Sequence, residues 1–235
     1  MNKKRTVAIV LSAGSGKRMG SSVKKQYMEI HGKPIIFYAL KAFQDSFIDE
    51  IVMVVSPGDV DYCKKEIVDY YGFDKVKKIV EGGKERYHSV YNGIMACSEC
   101  DYIYIHDGAR PMIYNELLQR LQCEVETHSA CVAGMPVKDT IKIADENGMV
   151  DVTPDRSLVW MVQTPQVFSY SLIKDAYEKL IQSESELLGK GISVTDDAMV
   201  VETFQGIKVK LVEGDYKNLK ITTPEDIQID EKFLK

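Results

Sequence analysis

Strand-length apolar runs alternate with helix-length segments along the first 137 residues, and this alternation constrains the fold more than any other feature of the chain. The first run, residues 6–12, is continuous and rich in β-branched side chains, which is typical of a strand buried on both faces. Similar runs follow at 50–56, 76–82, 101–107 and 130–137. The pattern predicts an α/β fold, with a doubly wound, mostly parallel, Rossmann-like sheet and right-handed crossovers.

Helical segments are predicted between these strands from their apolar spacing and their end signals. Pro34 suits the first turn of one helix, and Gly72 suits the end of the next. Two more helices are expected at 85–99, despite an internal glycine, and at 115–128. A further apolar segment follows at 157–168. Later segments are predicted as helices at 169–184 and from about Asp196, a strand at 207–214, and a helix from about Pro224.

The alternation breaks after Val137, where two short alternating runs flank Glu146-Asn147-Gly148, a sequence that favours a hairpin turn. A hairpin inserted into an α/β sheet projects from the body, so this one is either a surface excursion or an arm that grips a second subunit. The chain has no internal repeat, low-complexity tract or linker. We therefore expect a single domain over residues 1–235, with a projecting β-hairpin arm at about 138–158.

The overall charge and composition argue against several classes of protein. The formal net charge is −5, which disfavours a general nucleic-acid binder, because such affinity comes mainly from cations that meet phosphates. No apolar run approaches the roughly 20 residues of a membrane span, and the first residues do not resemble a signal peptide. We therefore expect a cytoplasmic protein that binds neither nucleic acid nor membrane.

The five cysteines are odd in number and scattered along the chain. Cys97 and Cys100 form a C-x-x-C pair, but no second pair or nearby histidine completes a zinc site. Structural thiols are therefore favoured over a redox or metal role.

The segment that follows the first strand, residues 12–26, combines glycines with cations. In open α/β sheets, ligands bind at the carboxyl ends of the strands, where this segment lies. Three glycines allow backbone N–H groups to converge on an anion, and Arg18 and Lys25 could neutralise its charge; the glycines are Gly14, Gly16 and Gly20. An anion site and a plain solvated basic loop both fit this composition.

Two common phosphate-binding loops do not match this segment. A Walker A loop ends in Gly-Lys-Ser/Thr, whereas Gly16-Lys17 is followed by Arg18, and the glycine required earlier in the loop is replaced by Leu11. A dinucleotide fingerprint needs its third glycine where Met19 stands. The spacing therefore also argues against an NAD-dependent oxidoreductase.

The opening segment resembles the nucleotide-binding signature of sugar-phosphate nucleotidyltransferases. Further stretches, in order from about residue 6 to about 230, are similar to the 2-C-methyl-D-erythritol 4-phosphate cytidylyltransferase family; they read EGGKERYHSV, IHDGARP, MPVKDTIK, PDRSLVW, QTPQVF, SVTDDAM and NLKITTPEDI. Two positions depart from the pattern. Lys24 stands where many members have proline, and Lys84 stands where an acidic residue is common.

The resemblance implies an enzyme that uses CTP, methylerythritol phosphate and Mg²⁺, and that forms a homodimer through the arm. A phosphate oxygen of the acceptor would attack the α-phosphate of CTP and expel pyrophosphate. Arg18 and Lys25 match the residues that stabilise the transition state, and Lys220 matches the lysine that positions the substrate phosphate. Arg156, at the end of the arm, matches an arginine that clamps the acceptor from a partner subunit.

The remaining site residues also follow from the resemblance. The residues expected to bind CTP are Ser12, Ala13, Gly14, Gly16, Gly82, Gly83, Ser89 and Asp107. The residues expected to bind the acceptor are Arg110, Thr140, Arg156, Thr164 and Thr195. Asp107 would contact the ribose or the hydration shell of Mg²⁺, although it could instead cap a turn. Thr195 could equally be the N-cap of the following helix.

Several alternatives remain open at this point. Arg86 either fixes its own loop or touches the nucleotide. His106 is expected to pack beneath the loop and His88 to lie on a helix face, and neither is expected to be an acid–base group. Ribitol 5-phosphate cytidylyltransferases share the opening loop, but the arm pattern favours methylerythritol phosphate as acceptor. A non-catalytic nucleotide-binding module is disfavoured, because such a module has little need for cations around a departing pyrophosphate.

Overall fold

A seven-stranded sheet with helices on both faces forms the centre of the molecule. The structure, a computed structural model, describes residues 3–14 and 24–227. The strands are β1 (Thr6–Ser12), β2 (Glu29–Ile30), β3 (Lys33–Pro34), β4 (Glu50–Val55), β5 (Val76–Glu81), β6 (Tyr102–Asp107), β7 (Ala130–Pro136), β8 (Ile143–Ala144), β9 (Val150–Val152), β10 (Trp160–Ser169) and β11 (Lys210–Glu213). The helices are α1 (Ile35–Gln44), α2 (Val60–Tyr62, continued by a π-helical segment, Cys63–Asp69), α3 (Arg86–Ala96), α4 (Asn115–His128), α5 (Tyr170–Gln182), α6 (Glu184–Gly189) and α7 (Asp197–Gln205).

The strand order in the sheet is β11-β7-β10-β6-β1-β4-β5. All pairings are parallel except the two that β10 makes with β6 and β7, which are antiparallel. The predicted α/β fold with a mostly parallel sheet is therefore confirmed. Because β1, β4, β5 and β6 run in the same direction, their carboxyl ends meet at one edge of the sheet.

Both faces of the sheet are buried, as the continuous apolar runs predicted. Side chains alternate along β1, so that Ala8 and Val10 join one core with α1 and α4, while Val7 and Ile9 join a second core with α3, α5 and α7. All six residues of β4 are buried. Packing on both faces of the sheet therefore fixes the position and orientation of the residues at the strand ends.

Two glycines occupy positions at which another residue would strain the backbone or clash with a neighbour. Gly72, with φ +68°, ends the second helical segment, as expected. Gly93 allows α3 to lie close to the sheet, because a Cβ there would come within 2.7 Å of Ile9 Cγ2 and 3.1 Å of Val54 Cγ2. α4 occupies the predicted residues 115–128.

Two helical predictions differ from the structure. The helix predicted to run to residue 184 ends at Gln182, and a separate short helix, α6, follows it. Where a helix is predicted from about Pro224, the structure has a 3-10 turn, Pro224–Ile227, and the later residues of this prediction lie outside the described residues.

The predicted hairpin is present as β8 and β9. Its turn is closed by Asp145, whose Oδ1 accepts hydrogen bonds from the backbone N–H groups of Asn147 and Met149, both at 2.9 Å. Gly148 supplies the positive φ of +77° that the turn requires. The hairpin strands are exposed along their whole length, apolar side chains included.

The five cysteines are free thiols. Among the described residues, none of the helices combines the length and apolar character needed to span a membrane.

Candidate active site

A cleft of about 450 Å³ opens at the carboxyl edge of the sheet, above the ends of β1 and β6. The described residues that line it come from five separate segments of the chain. They are Leu11, Ser12, Ala13, Gly14, Lys25, Gln26, Gly83, Lys84, Glu85, Arg86, Ser89, Asp107, Ala109, Lys220 and Thr222. The fold thus brings together most of the residues predicted to bind CTP, and two of the predicted catalytic lysines.

The end of β1 forms one wall of the cleft. Gln26 is buried, and its Nε2 donates a hydrogen bond to the backbone carbonyl of Ser12 at 2.7 Å. Ser56 Oγ donates to the carbonyl of Ala13 at 3.3 Å. The buried hydroxyl of Ser12 has no hydrogen-bond partner within the described part of the chain. It is therefore available to a ligand in the cleft.

The segment from Gly82 to Ser89 forms the opposite wall. Its glycines are required by close approach, since a Cβ on Gly82 would lie 2.4 Å from Ala13 Cβ, and one on Gly83 would lie 2.3 Å from His88 Cβ. The backbone N–H of Gly83 donates to Ser89 Oγ at 3.1 Å. Ser89 therefore stabilises the conformation of the loop. The two walls of the cleft are in direct contact where Gly82 meets Ala13.

Asp107, at the end of β6, lies at the centre of a group of cations. Its carboxylate is 2.7 Å from Lys220 Nζ, 3.4 Å from Arg86 Nε and 4.0 Å from Arg110 Nε. Burial would raise the pKa of Asp107, but the charges of Arg86 and Lys220 outweigh burial and hold the pKa below its usual range. Asp107 is therefore an anion that draws three cations towards one end of the cleft.

The side chain of Arg86 is held in place by a buried carboxylate, that of Asp197. Its Nη1 and Nη2 donate to the two oxygens of Asp197 at 2.9 and 2.8 Å, and the hydroxyl of Tyr177 donates to the same carboxylate at 2.5 Å. Asp197 and Tyr177 are fully buried. Burial alone would lower the pKa of Arg86, but the charges of Asp197 and Asp107 raise it well above its usual value. Arg86 thus fixes its loop, and it also lines the cleft, so contact with the nucleotide stays a prediction.

His106 and Thr164 connect β6 to β10 beneath the cleft. Thr164 Oγ1 accepts from the backbone N–H of Asp107 at 3.1 Å, so its proton points to His106 Nδ1, at 3.0 Å. His106 Nε2 then donates to the carbonyl of Arg110 at 3.0 Å. Burial lowers the pKa of His106 to about 4, so the ring is neutral near pH 7. The prediction that His106 is a packing residue is confirmed.

Arg110 is held by a second network, which includes Asn218 and Thr164. Arg110 Nη1 donates to the carbonyl of Asn218 at 2.7 Å, and Asn218 Nδ2 donates to the carbonyl of Thr164 at 2.8 Å. Asn218 is fully buried. Sequence reasoning assigned no role to Asn218, Asp197 or Tyr177, because each acts on a cleft residue that is distant along the chain.

The residues predicted to bind the acceptor from the arm lie away from the cleft in this chain. Thr140 and Arg156 are exposed, and Arg156 Nη1 donates to the carbonyl of Lys138 at 3.0 Å. Thr195 is exposed before α7, and the N-cap is Asp196, whose Oδ1 accepts from the N–H of Met199 at 2.9 Å. The interpretation of Thr195 as an N-cap was therefore wrong. Gly16 and Arg18 lie outside the described residues.

His88 lies on a helix, α3, as expected, and it also has a role at the start of that helix. It is the third residue of α3 and completes a capping box with Glu85, whose backbone N–H donates to His88 Nδ1 at 3.2 Å. Its Nε2 lies 3.0 Å from Glu184 of α6. His88 therefore helps to hold the start of α3, which carries the second wall of the cleft.

The donor groups in the cleft restrict how a divalent cation could be held. Within residues 3–14 and 24–227, no group of three or more His, Cys, Asp or Glu side chains could form a metal site. The oxygens of Asp107 are already close to Lys220 and Arg86. This donor set fits a Mg²⁺ ion that is held mainly by ligand phosphates and reaches Asp107 through water.

The lowered pKa of Asp107 predicts how its contribution to stability changes with pH. Asp107 is ionised in the folded protein at pH values where it binds a proton in the unfolded chain. Its stabilising effect is therefore complete above pH ~5 and is lost progressively as the pH falls below ~4. We expect the free energy of unfolding of the wild type to exceed that of Asp107→Asn by a constant amount from pH 8 to 5, and by less at lower pH. Urea titrations of both proteins measure this difference. A difference that grows on acidification would contradict the assignment.

Comparisons with known proteins agree along nearly the whole chain. The family model described as IspD, 2-C-methyl-D-erythritol 4-phosphate cytidylyltransferase, matches residues 6–235. An enzyme of that name from Lachnospira eligens is 50% identical to this chain, and the match covers 97% of this chain and 98% of the relative. An enzyme of that name from Lachnoclostridium phytofermentans is 46% identical, and the match covers 98% of this chain and 97% of the relative. The crystal structure of 4-diphosphocytidyl-2C-methyl-D-erythritol synthase from Anaerococcus prevotii superposes with a TM-score of 0.82 at 34% identity, covering 95% of this chain and 93% of that one.

Proposed function

The chain belongs to the 2-C-methyl-D-erythritol 4-phosphate cytidylyltransferase family, and on this premise we propose that its cleft transfers CMP from CTP to 2-C-methyl-D-erythritol 4-phosphate. The products are 4-diphosphocytidyl-2-C-methyl-D-erythritol and pyrophosphate, in the non-mevalonate route to isoprenoid precursors. The observation that carries the proposal is the convergence of Lys25, Lys220, Arg86 and Arg110 around the cleft and Asp107.

The chemistry of this transfer explains why the cleft needs cations. A phosphate oxygen of the acceptor attacks the α-phosphorus of CTP, and the bond from that phosphorus to the oxygen of the leaving pyrophosphate breaks. Both reactants are anions, and the pentacoordinate phosphorus carries additional negative charge. Preorganised cations are therefore the largest available source of catalysis. A nucleophilic side chain is unnecessary, because the acceptor phosphate is already ionised near pH 7.

We assign roles to the cleft residues on this basis. Ser12, Ala13 and Gly14, with Gly82, Gly83 and Ser89 opposite, hold CTP, and the backbone of the glycine segment faces the pyrimidine. Lys25 and Arg18 stabilise charge on the reacting and leaving oxygens. Lys220 and Arg110 hold the acceptor phosphate. Asp107 fixes Lys220 at hydrogen-bond distance and contacts the ribose or the water shell of a cation.

Mg²⁺ is proposed as the cofactor, bound chiefly by the phosphates of CTP with Asp107 as an outer contact. When bound, it would neutralise charge on the triphosphate and favour departure of pyrophosphate. The chain itself orients the phosphates through Lys25 and the backbone N–H groups of the β1 loop.

The acceptor is tested directly by measuring pyrophosphate release from CTP and Mg²⁺. We expect release with methylerythritol phosphate and none with ribitol 5-phosphate or without acceptor. Release only with ribitol 5-phosphate would overturn the acceptor assignment while leaving the transfer chemistry in place. A protein that binds CTP but releases no pyrophosphate with either acceptor would be a nucleotide-binding module.

We propose that the arm covers a second copy of the chain in a homodimer. Its apolar side chains are exposed to an extent unusual for a monomer: Met149 is 68% exposed, Val150 58% and Leu158 78%. A lone two-stranded hairpin is marginally stable in water, so a partner surface would stabilise it. Thr140 and Arg156 would then reach the partner's cleft, and Arg156 would grip the acceptor phosphate with its two-pronged guanidinium.

The shared site predicts that two inactive variants will complement each other. If the arm of each chain reaches the cleft of its partner, a dimer of one Lys25→Met chain and one Arg156→Ala chain has one damaged site and one intact site. Because half of randomly paired dimers are mixed, co-expression should give about a quarter of wild-type activity. Activity equal to the average of the two parent variants, in samples where mixed dimers are verified with two affinity tags, would show that each chain uses its own arm.

We also propose that the enzyme acts in the cytoplasm. All five of its cysteines are free thiols, which is typical of a protein in a reducing compartment.

A further inference from the structure

Lys24, to which the sequence assigned no role, forms a short ion pair at the edge of the cleft. Its Nζ lies 2.6 Å from Asp59 Oδ2, in the loop between β4 and α2. The pair is partly buried, with side-chain exposures of 37% for Lys24 and 17% for Asp59. Charges in such a place are screened less by solvent than those of a surface pair, so the contact can hold a backbone segment in position.

Tyr27 strengthens the same contact. Its hydroxyl donates to Asp59 Oδ2 at 3.0 Å, and the thiol of Cys63, 3.0 Å away, donates to the hydroxyl in turn. Burial raises the pKa of Tyr27 well above its usual value and that of Cys63 to about 11, so both groups keep their protons near pH 7. Asp59 thus receives hydrogen bonds from both ends of one short segment of chain.

That segment is the turn formed by residues 24–27, and it carries Lys25. The turn is closed by the N–H of Tyr27, which donates to the carbonyl of Lys24 at 2.9 Å. Gln26 attaches it to β1 through the 2.7 Å hydrogen bond to Ser12. Lys25 therefore lies between two anchors, one on β1 and one on Asp59, and it lines the cleft.

We propose that Lys24 is a positioning residue, whose ion pair with Asp59 holds the 24–27 turn so that Lys25 is aimed into the cleft. The inference rests on the proposed function, because it concerns the cation assigned to the reacting phosphate. Lys24 itself does not line the cleft. Lys24 therefore affects the reaction indirectly, by positioning Lys25.

The backbone of Lys24 supplies an independent way to test this role. Its φ of −61° and ψ of 136° are the angles that a proline ring favours. A proline at this position would restrain the entry to the turn covalently, without any charge. If position is what matters, proline and arginine should both replace lysine, whereas methionine should not.

The first experiment measures kcat and KM for both substrates in Lys24→Met, Lys24→Arg, Lys24→Pro and Asp59→Asn. Lys24→Met and Asp59→Asn should each lower kcat about 5- to 10-fold with little change in KM for methylerythritol phosphate, and the double variant should be no worse than either single one. Lys24→Arg and Lys24→Pro should recover at least half of kcat. Lys41→Met, which removes an exposed partner of Asp45 on α1, is the matched control and should behave as wild type.

The response to proline and the double variant distinguish an indirect role of Lys24 from a direct one. Failure of proline to recover activity, or additive losses in the Lys24→Met/Asp59→Asn double variant, would show that the lysine charge acts directly on the substrate. Unchanged kcat in Lys24→Met would show that the ion pair has no role in the reaction.

Hydrogen exchange separates this inference from the proposed function. The amides of Tyr27 and Met28 donate to the carbonyls of Lys24 and Lys25, so their exchange reports on the turn without any substrate. We expect exchange about 5- to 10-fold faster in Lys24→Met than in wild type or Lys24→Pro. Equal exchange in Lys24→Met and wild type would overturn the anchor even if the enzyme is active. Faster exchange in a chain without transferase activity would keep the anchor and overturn the function.

Discussion

Replacement of Lys25 by methionine is expected to lower kcat by a factor of about 10²–10³, as does the loss of other groups that stabilise charge mainly in the transition state. Methionine keeps an unbranched side chain of similar length but removes the charge. The charge on the pentacoordinate phosphorus exceeds that of bound CTP, so the lost interaction affects kcat more than binding. Pyrophosphate release gives kcat and KM, and calorimetry gives the Kd for CTP.

A lysine outside the cleft serves as the control for this variant. Lys64 is an exposed residue of the π-helical segment and pairs with Asp69, so Lys64→Met should keep wild-type kcat. If Lys25→Met raised KM for CTP and left kcat unchanged, the lysine would bind the ground state and the transition state equally. The role assigned to Lys25 would then be wrong.

The second large effect concerns stability. Asp197→Ala is expected to lower the free energy of unfolding by about 3 kcal/mol or more, because it removes the buried partner of Arg86 and the acceptor of the Tyr177 hydroxyl. Tyr177→Phe removes a single hydrogen bond and should lower it by about 1 kcal/mol. Urea titrations followed by circular dichroism measure both values.

A double variant distinguishes a structural role of this pair from its role in the cleft. Arg86→Met/Asp197→Leu replaces the ion pair with apolar side chains and should recover much of the stability lost in Asp197→Ala. It should not recover activity, because Arg86 also lies 3.4 Å from Asp107. Recovery of both would mean that Arg86 is needed only to satisfy Asp197. Wild-type stability in Asp197→Ala would contradict the importance of the pair.

The strands and most helices could be predicted because their signals are local. β1 is a continuous apolar run, and α4 has apolar spacing along its full length, so both were predicted with the bounds that the structure shows. The direction of β10 could not be predicted, since an antiparallel strand buried on both faces has the same composition as a parallel one. α6 was not distinguished from α5 because its charged residues continue the helical composition without a strong break.

The site could be predicted only in part for a similar reason. Lys25, Asp107 and Lys220 belong to segments whose sequence marks them, and the fold brings all three to one cleft. The role of Arg86 depends on Asp197, which lies 111 positions away, and no local pattern connects the two. The sequence assigned no role to Lys24 for the same reason, since its partner Asp59 lies on a different strand–helix connection. The roles of Thr140 and Arg156 remain predictions.

The two outer strands of the sheet, β5 and β11, carry charged side chains. A free strand edge exposes unpaired backbone groups and can recruit further strands. On β5, the edge carries the exposed Lys77 and Lys78, and on β11 it carries Lys210, while Arg120 covers the carbonyl of Glu213 at 2.9 Å. Charge at both margins disfavours the open-ended stacking that leads to fibrils. The seven-stranded sheet therefore carries at both margins charges that disfavour its extension by a strand of a second copy.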